Sequence, residues 1–413
     1  MRYRTYSISR IPIAPPAILA PDVFSHRTNW DLQPSRLSLA LEHRRAAGLP
    51  VLDLTLSNPT VAGFDYDLAD VANALAAGCS HAYAPVAQGL PTARQAVSLY
   101  YEQDHGVSLD PAHIVLTVST SEAYSFLFRL LCDPGDEVLV CRPAYPLFDY
   151  LAELEDVALR PVGWLHDEDG WHLDTHALQL AFTARTKAVL LVHPNNPTGH
   201  FVSPRDRQWL DIWCAEHGLA LIVDEVFLEY RLQGGGPSFL ASPSSALTFV
   251  LSGISKICAL PQMKVAWIAS HGPADLRDAA LARLDVIADT FLSLSTPFQA
   301  ALPSLLHIRR QIQPQILARL HANLTLLDER LAGEPLLTRE EVEGGWYATL
   351  RLPSLTDSES SAVRLLQDTG VYVHPGHFFG FAGGGCWVIS LLGPSAEFYA
   401  AMDMLATHIK KLA

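Results

Sequence analysis

The stretch Ala188-Val189-Leu190-Leu191-Val192-His193-Pro194-Asn195-Asn196-Pro197-Thr198-Gly199 decides the fold. An unbroken apolar run reads as a strand buried on both faces, and the Pro, Asn and Gly that follow stop it. The plan recurs downstream. Leu219–Asp224 is a second apolar run, ending in Asp224-Glu225, and Leu247–Ser252 is a third, followed closely by Ser255-Lys256. Further runs lie at Ile114–Val118, Glu137–Cys141 and Val265–Ser270. Amphipathic segments fall between them, among them Ser121–Leu131 and Pro204–His217. This alternation predicts an α/β fold with a mostly parallel central sheet sandwiched by helices. In such sheets ligands gather at the carboxyl ends of the strands.

Asn196, Asp224 and Lys256 all fall at or just beyond such ends. An amide, a carboxylate and an amine in that order suit a pyridine ring carrying an aldehyde. The Lys256 amine makes a Schiff base, Asp224 keeps the ring nitrogen protonated, and the Asn196 amide bonds the phenolic oxygen. This is the chemistry of pyridoxal 5'-phosphate (PLP), in which the cofactor is the electron sink and the protein orients it. Ser119-Thr120-Ser121-Glu122 opens a helix whose apolar positions are Ala123, Phe126, Leu127, Leu130 and Leu131. Free amides at such a helix start favour an anion, here the phosphate. The alternative is a capping box between Ser119 and Glu122.

The bulk composition fits a large enzyme core. Of 413 residues, 49% are hydrophobic and only 17% charged, which suggests surface buried in an oligomer. A net charge of −14 argues against a general binder of nucleic-acid backbone. Six scattered cysteines without a C-x-x-C pair predict neither a disulfide framework nor a structural zinc. No apolar run is long enough to span a bilayer, and prolines break the segment after Arg2, Arg4 and Arg10, so the expected location is cytoplasmic. His374 and His377 flank a Pro-Gly turn and read as solvated loop residues rather than metal ligands, with lining of the substrate cavity the alternative; no metal is expected. Glu225 and Glu229 read as structural partners.

A Pro-interrupted region around Pro297, Pro303 and Pro314 is expected to close the large domain, with a polar helix following at Gln315–Ala332. Residues 57–310 then form a large PLP-binding domain. Residues 1–56 with 311–413 form a smaller α+β domain from both chain ends. Gly234-Gly235-Gly236 and Gly383-Gly384-Gly385 read as short loops.

From about Leu54 onward the chain resembles the class I/II aminotransferases of the aspartate aminotransferase superfamily (fold type I). The marks are Tyr83-Ala84-Pro85-Val86-Ala87-Gln88-Gly89-Leu90, Asp133-Pro134-Gly135-Asp136-Glu137-Val138 and Arg142-Pro143-Ala144-Tyr145-Pro146. Pro194–Gly199, Asp224-Glu225-Val226 and Ser255-Lys256 follow in the family's order. The resemblance implies that Lys256 is the Schiff-base lysine and proton shuttle, paired with Asp224 and Asn196. It implies that Tyr145 stacks on the ring, and that Ser119, Thr120, Ser121, Ser255 and Lys264 bind the cofactor. Tyr83 would reach the phosphate of a neighbouring subunit, so a homodimer with shared active sites is implied.

The chain departs from that family at four places. Lys264 stands where an Arg usually forks onto the phosphate, which keeps the charge but loses the bidentate geometry. Gly253 replaces a phosphate-binding Ser, and Phe227 replaces a Tyr that would bond the phenolic oxygen. Val388 takes the place of the Arg that grips a substrate α-carboxylate, and no Arg follows Arg364. Arg36, Arg27 and Ser57 are the candidate substrate contacts in its absence. The resulting expectation is an aminotransferase that moves an amino group from an amine or amino acid to a carbonyl acceptor. A lyase, decarboxylase or cyclase of the same fold is the alternative, and a non-catalytic binding protein the third reading.

Overall fold

The computed structural model describes residues 23–410 except 80, 81, 84, 169, 335, 354–356 and 382–384. The N-terminal arginines with their prolines, and Gly383-Gly384, lie outside the described residues. Among the described residues the strands are β1 (Leu52–Asp53), β2 (Ile114–Thr117), β3 (Glu137–Arg142), β4 (Ala158–Asp167), β5 (Gly170–Leu173), β6 (Thr186–Val192) and β7 (Ala220–Asp224). There follow β8 (Thr248–Gly253), β9 (Ala266–His271), β10 (Thr338–Arg339), β11 (Tyr347–Arg351), β12 (Val371–Tyr372), β13 (His374–Pro375) and β14 (Cys386–Ser390).

The large sheet runs β2-β9-β8-β7-β6-β3-β4-β5. Its central pairs β4/β3, β3/β6, β6/β7 and β7/β8 are parallel, while β9 is antiparallel to both neighbours. The mostly parallel expectation holds. Alternate residues of one strand face opposite ways, and the core divides accordingly. Val189, Leu191, Leu221 and Val223 pack with Val97, Leu210 and Leu302 on one face. Leu190, Val192, Ile222 and Leu251 pack with Phe126, Leu127 and Leu284 on the other. Both faces are thus covered by helices, which is why the strands read as unbroken apolar runs.

One expectation fails. Pro303 and Pro314 do not interrupt the chain but lie inside a single helix, Thr296–Leu331. A proline in a helix interior costs about 3 kcal/mol through a lost hydrogen bond and a clash. Both prolines are exposed, while Leu302, Leu305, Leu306, Ile312, Ile316, Leu320, Leu324 and Leu327 form a continuous buried stripe. Each such side chain contributes roughly 1.5–3 kcal/mol on burial, so the stripe outweighs the prolines.

Along this helix the core changes. Leu302, Leu305 and Ile308 belong to the large-sheet core, whereas Ile312, Ile316 and Leu320 pack with Leu37, Leu41, Leu54, Val371 and Leu405. The second core includes the four-stranded sheet β10-β11-β14-β13, and β1 pairs in parallel with β12. Among the described residues no helix is long and apolar enough to cross a membrane.

Candidate active site

Strand register brings the three residues singled out in the sequence to one edge. Val192 at the end of β6 pairs with Asp224 at the end of β7, and Asp224 pairs with Leu251 of β8. Asn196 lies in the turn after β6, and Lys256 in the short helix Ile254–Ile257 directly after β8. The Asn196 turn is held from within: the Asn195 amide nitrogen donates to Thr198 Oγ1 at 2.8 Å and to the Pro143 carbonyl at 3.1 Å. Gly199 has a φ of +76°, and a Cβ there would meet the Gly344 carbonyl oxygen at 2.5 Å, so glycine is required.

Asp224 is 6% exposed. Tyr124 Oη donates to its Oδ2 at 2.7 Å, and the Val226 N–H donates to its Oδ1 at 3.0 Å. Burial pushes its carboxyl up to about 6; the Tyr124 and Val226 hydrogen bonds and the Lys256 charge pull the other way. For Lys256 burial draws the amine down to about 8, against the opposing charge of Asp224. Near neutral pH the pair is therefore a carboxylate facing an amine that still exchanges its proton. Lys256 Nζ has ring faces as neighbours, 4.5 Å from the Trp346 centroid and 5.3 Å from that of Phe227.

Several groups here are unmatched in the way a ligand site requires. Asn196 Oδ1 is buried without a hydrogen-bond partner. The amides of Thr120 and Ser121, in the first turn of the helix Thr120–Leu131, have no carbonyl within the helix to bond. The capping alternative is also present: Ser119 Oγ accepts from the Glu122 N–H at 3.2 Å, and Glu122 Oε2 accepts from the Val118 N–H at 2.9 Å. Ser119 keeps its own hydroxyl proton for an anion, so the two readings coexist. An unmatched amide, an unpaired amine, a buried carboxylate and free helix-start amides fit PLP.

The remaining cofactor candidates are more dispersed. Tyr145 is partly buried, edge-on to Phe148 at 5.6 Å, and bears electrostatically on Tyr124. Ser255 is partly buried beside Lys256, while Lys264 is exposed with a φ of +53°. Tyr83 is 75% exposed on the chain described. The glycine at 253 has a steric cause: a Cβ there would meet the Val265 carbonyl at 2.8 Å and Ala266 Cα at 2.9 Å. No serine fits between β8 and β9 at that point.

The substrate candidates are not assembled. Arg36 Nη1 donates to Ser360 Oγ at 3.1 Å from the exposed side of a helix that buries Leu37 and Leu41. Arg27 donates to the Leu154 carbonyl at 3.1 Å and lies 3.5 Å from Asp156. Neither touches Asn196, Asp224 or Lys256. Ser57 is partly buried next to Leu56, whose carbonyl accepts from Ser390 Oγ on β14 at 2.5 Å.

His374 is not a solvated loop residue. It is 8% exposed, in β13 opposite Val388, and burial draws its imidazole down to about 4. The second histidine of that turn, His377, is partly buried. The structural reading of the glutamates holds: Glu225 accepts from Ser238 Oγ and the Phe239 N–H, and Glu229 from Tyr100 and His105. A cavity of about 730 Å³ lined by Trp171, His200, Arg207, Phe239 and Glu343 contains none of Asn196, Asp224 or Lys256.

Two residues escaped the sequence reading. Tyr124 reaches Asp224 across the fold, and Trp346 covers Lys256. The available signal for Tyr124 was a hydroxyl on a buried helix face, which must find a partner.

Comparison with known proteins identifies the family. The sequence profile of the aminotransferase class I and II family matches residues 50–403. The alanine aminotransferase of Mycobacterium bovis is 28% identical over 378 residues, covering 88% of this chain and 86% of that protein. The LL-diaminopimelate aminotransferase of Desulforudis audaxviator is 27% identical, covering 90% and 93%. Among solved structures, the alanine aminotransferase of Pyrococcus furiosus superposes with a TM-score of 0.84 at 23% identity, covering 91% of this chain and 96% of that one. An aspartate aminotransferase of Thermus thermophilus gives 0.81 at 24%, covering 93% and 99%. With the strand-end trio in place and the match running over most of its length, the chain belongs to the class I and II aminotransferase family and is an aminotransferase of fold type I.

Proposed function

We propose that the chain binds PLP through Lys256 and transfers an amino group from a donor held without an arginine–carboxylate clamp. The observation that carries the cofactor reading is the convergence of Asn196, Asp224 and Lys256 at the ends of β6, β7 and β8. When bound, PLP supplies the electron sink that stabilises negative charge at the substrate α-carbon and carries the amino group between half-reactions. Lys256 Nζ would hold the cofactor covalently and, when free, would be the base placed to take the proton from the substrate α-carbon. The Asp224 carboxylate would hold a proton on the pyridine nitrogen. Asn196 orients the phenolic side, and Ser119, Thr120, Ser121 and Lys264 hold the phosphate. Tyr145 covers the ring, and Ser255 flanks the lysine.

The substrate reading rests on β14. Val388 is fully buried and pairs with Thr349 and His374, neither of which is a cation once burial has neutralised the histidine. Arg142 approaches Gly380 but binds both oxygens of Asp149, at 2.8 and 2.7 Å. The donor therefore presents an uncharged group to this face, and ordinary α-amino acids are poor donors.

Two further parts of the reading follow. The cores that meet between Ile308 and Ile312 support domains of 57–310 and 1–56 with 311–413. The exposed Tyr83, Val86, Phe291 and Leu292 support a homodimer in which Tyr83 completes the partner's phosphate site; sedimentation showing an active monomer would refute it. The location is cytoplasmic.

Borohydride treatment of the yellow protein should fix the cofactor to a peptide containing Lys256. Half-reaction absorbance should then show faster turnover with amines lacking an α-carboxylate than with alanine or aspartate. Labelling at another lysine overturns the cofactor assignment, and the reverse donor ranking overturns the substrate assignment.

A further inference from the structure

We infer that Trp346 and Phe227 form an aromatic clamp on the free amine of Lys256, which makes Trp346 a positioning residue for that lysine. The inference rests on the reading of Lys256 as the residue released in each half-reaction. At that moment the amine, at the end of a half-buried side chain, needs a resting place. Nζ lies 4.5 Å from the Trp346 centroid and 5.3 Å from the Phe227 centroid. An ammonium over a ring face is attracted by the ring quadrupole, most strongly for indole and most effectively when water is excluded.

The rings themselves are fixed. Trp346 is fully buried, edge-to-face with Tyr230 at 5.0 Å and with Phe227 at 5.4 Å. Tyr230 Oη donates to the Lys256 carbonyl at 2.6 Å, so the stack grips the lysine at its backbone and at its amine. The indole has a cost that packing does not explain. Trp346 Nε1 is buried without a hydrogen-bond partner, and stranding a donor is unfavourable. Phenylalanine would cover much of the same surface without a stranded donor. What the indole adds is the stronger negative face.

Few other charges act on the amine. Asp224 on β7 faces it and favours its protonated form, as the rings do, while burial opposes both. Tyr124 and Tyr145 stand around Asp224. Arg309 of the long helix bears on Cys258, and Lys264 after the Pro261–Met263 turn is exposed.

The test reads the amine directly. The full chain, stripped of cofactor, is acylated over a range of about pH 6 to 11.5, and modification at Lys256 is quantified by mass spectrometry. Lys187, Lys264, Lys410 and Lys411 serve as references in the same sample. In Trp346→Leu the Lys256 midpoint should fall by roughly 0.5–1.5 pH units, with the reference midpoints unmoved. Trp346→Phe should lie between that variant and wild type, and Phe227→Leu should shift less than Trp346→Leu. A mere packing defect admits water and moves the midpoint up. An unchanged or raised midpoint in Trp346→Leu therefore overturns the clamp; if that variant does not fold, the same outcome in Trp346→Phe decides. Borohydride labelling of the loaded wild type separates the two readings: cofactor on another lysine sinks the role of Lys256, whereas the titration judges the clamp.

Discussion

The two sheets that frame the site handle charge in opposite ways. At the carboxyl edge of the eight-stranded sheet, a buried carboxylate and a half-buried amine sit together and each is tuned. Asp224 has two hydrogen bonds, and Lys256 has two ring faces and an opposing charge. On the four-stranded sheet, Tyr347, Thr349, Val388, Ser390 and His374 share one face by register, and the charged residue of that face, Arg351 opposite Cys386, is paired with Glu340. That face looks toward the lysine. The Tyr347 ring lies 6.2 Å from Phe227, which in turn lies 5.3 Å from Lys256 Nζ. The difference teaches where the chain is specialised. The edge with Asp224 and Lys256 carries opposite charges that can exchange a proton, while at Val388, among the described residues, the facing Thr349 and His374 supply no cation.

Asp224→Asn breaks the first half of this contrast and should have the largest effect. An amide fills the same space but cannot hold the ring proton through charge. The half-reaction rate should fall roughly 10²–10³-fold, the scale of losing one preorganised electrostatic contact. The fold should persist, because the amide oxygen can still accept from the Val226 N–H while the Tyr124 hydroxyl turns to accept from the amide nitrogen. Stopped-flow absorbance beside circular dichroism checks both. Rates within a few-fold of wild type would mean that the buried carboxylate does not act on the ring.

How far the contrast was legible in the sequence follows the same division. β6, β7 and β8 were legible because burial on both faces leaves uninterrupted apolar runs, and Asn196, Asp224 and Lys256 were legible as the polar residues that end them. β4 and β5 were not. In β4 only Val162 and Trp164 are buried, with Pro161 and Gly163 beside them, and no period-two pattern survives. The long helix was misread because a proline normally ends one. Pro303 and Pro314 lie eleven residues apart, about three turns, so both fall on the exposed side while the buried stripe continues. Tyr124 and Trp346 were invisible because their partners, Asp224 and Lys256, are brought to them only by tertiary packing. Arg27 and Arg36 were chosen for lying in a segment expected to lead toward the site, and the structure commits both guanidiniums elsewhere.

Val388→Arg sharpens the second half. A charge-assisted bidentate contact is worth about 1.5–3 kcal/mol. The half-reaction with an α-amino acid should therefore improve roughly ten- to a hundred-fold in apparent affinity. A buried, unpaired guanidinium should also lower the melting temperature without substrate, and a dicarboxylate should restore part of the loss. A stable variant with no gain for any α-amino acid would show that the carboxyl group does not approach this face.

The smallest expected effect lies in the link between Tyr124 and Asp224. The hydroxyl donates to Oδ2 at 2.7 Å and so favours the ionised carboxyl, whose pKa burial has already raised to about 6. In Tyr124→Phe the burial remains and the donor is lost, so the pKa should rise further. Asp224 binds the ring proton only when ionised, so cofactor affinity should weaken as pH falls through about 6 in wild type. In the variant the same weakening should set in about one to two units higher, since a hydrogen bond to a charged group is worth roughly 1.5–3 kcal/mol and 1.36 kcal/mol is one unit. Stability of the cofactor-free protein should follow the opposite sign. A carboxyl whose folded pKa exceeds its unfolded value of 3.8 favours folding at low pH, and that contribution is lost as pH rises through about 6. Fluorescence titration of cofactor binding between about pH 5 and 8 measures the first trend, and urea melts of the cofactor-free chain measure the second. Superimposable binding profiles for wild type and variant would mean that Tyr124 packs against Asp224 without setting its charge.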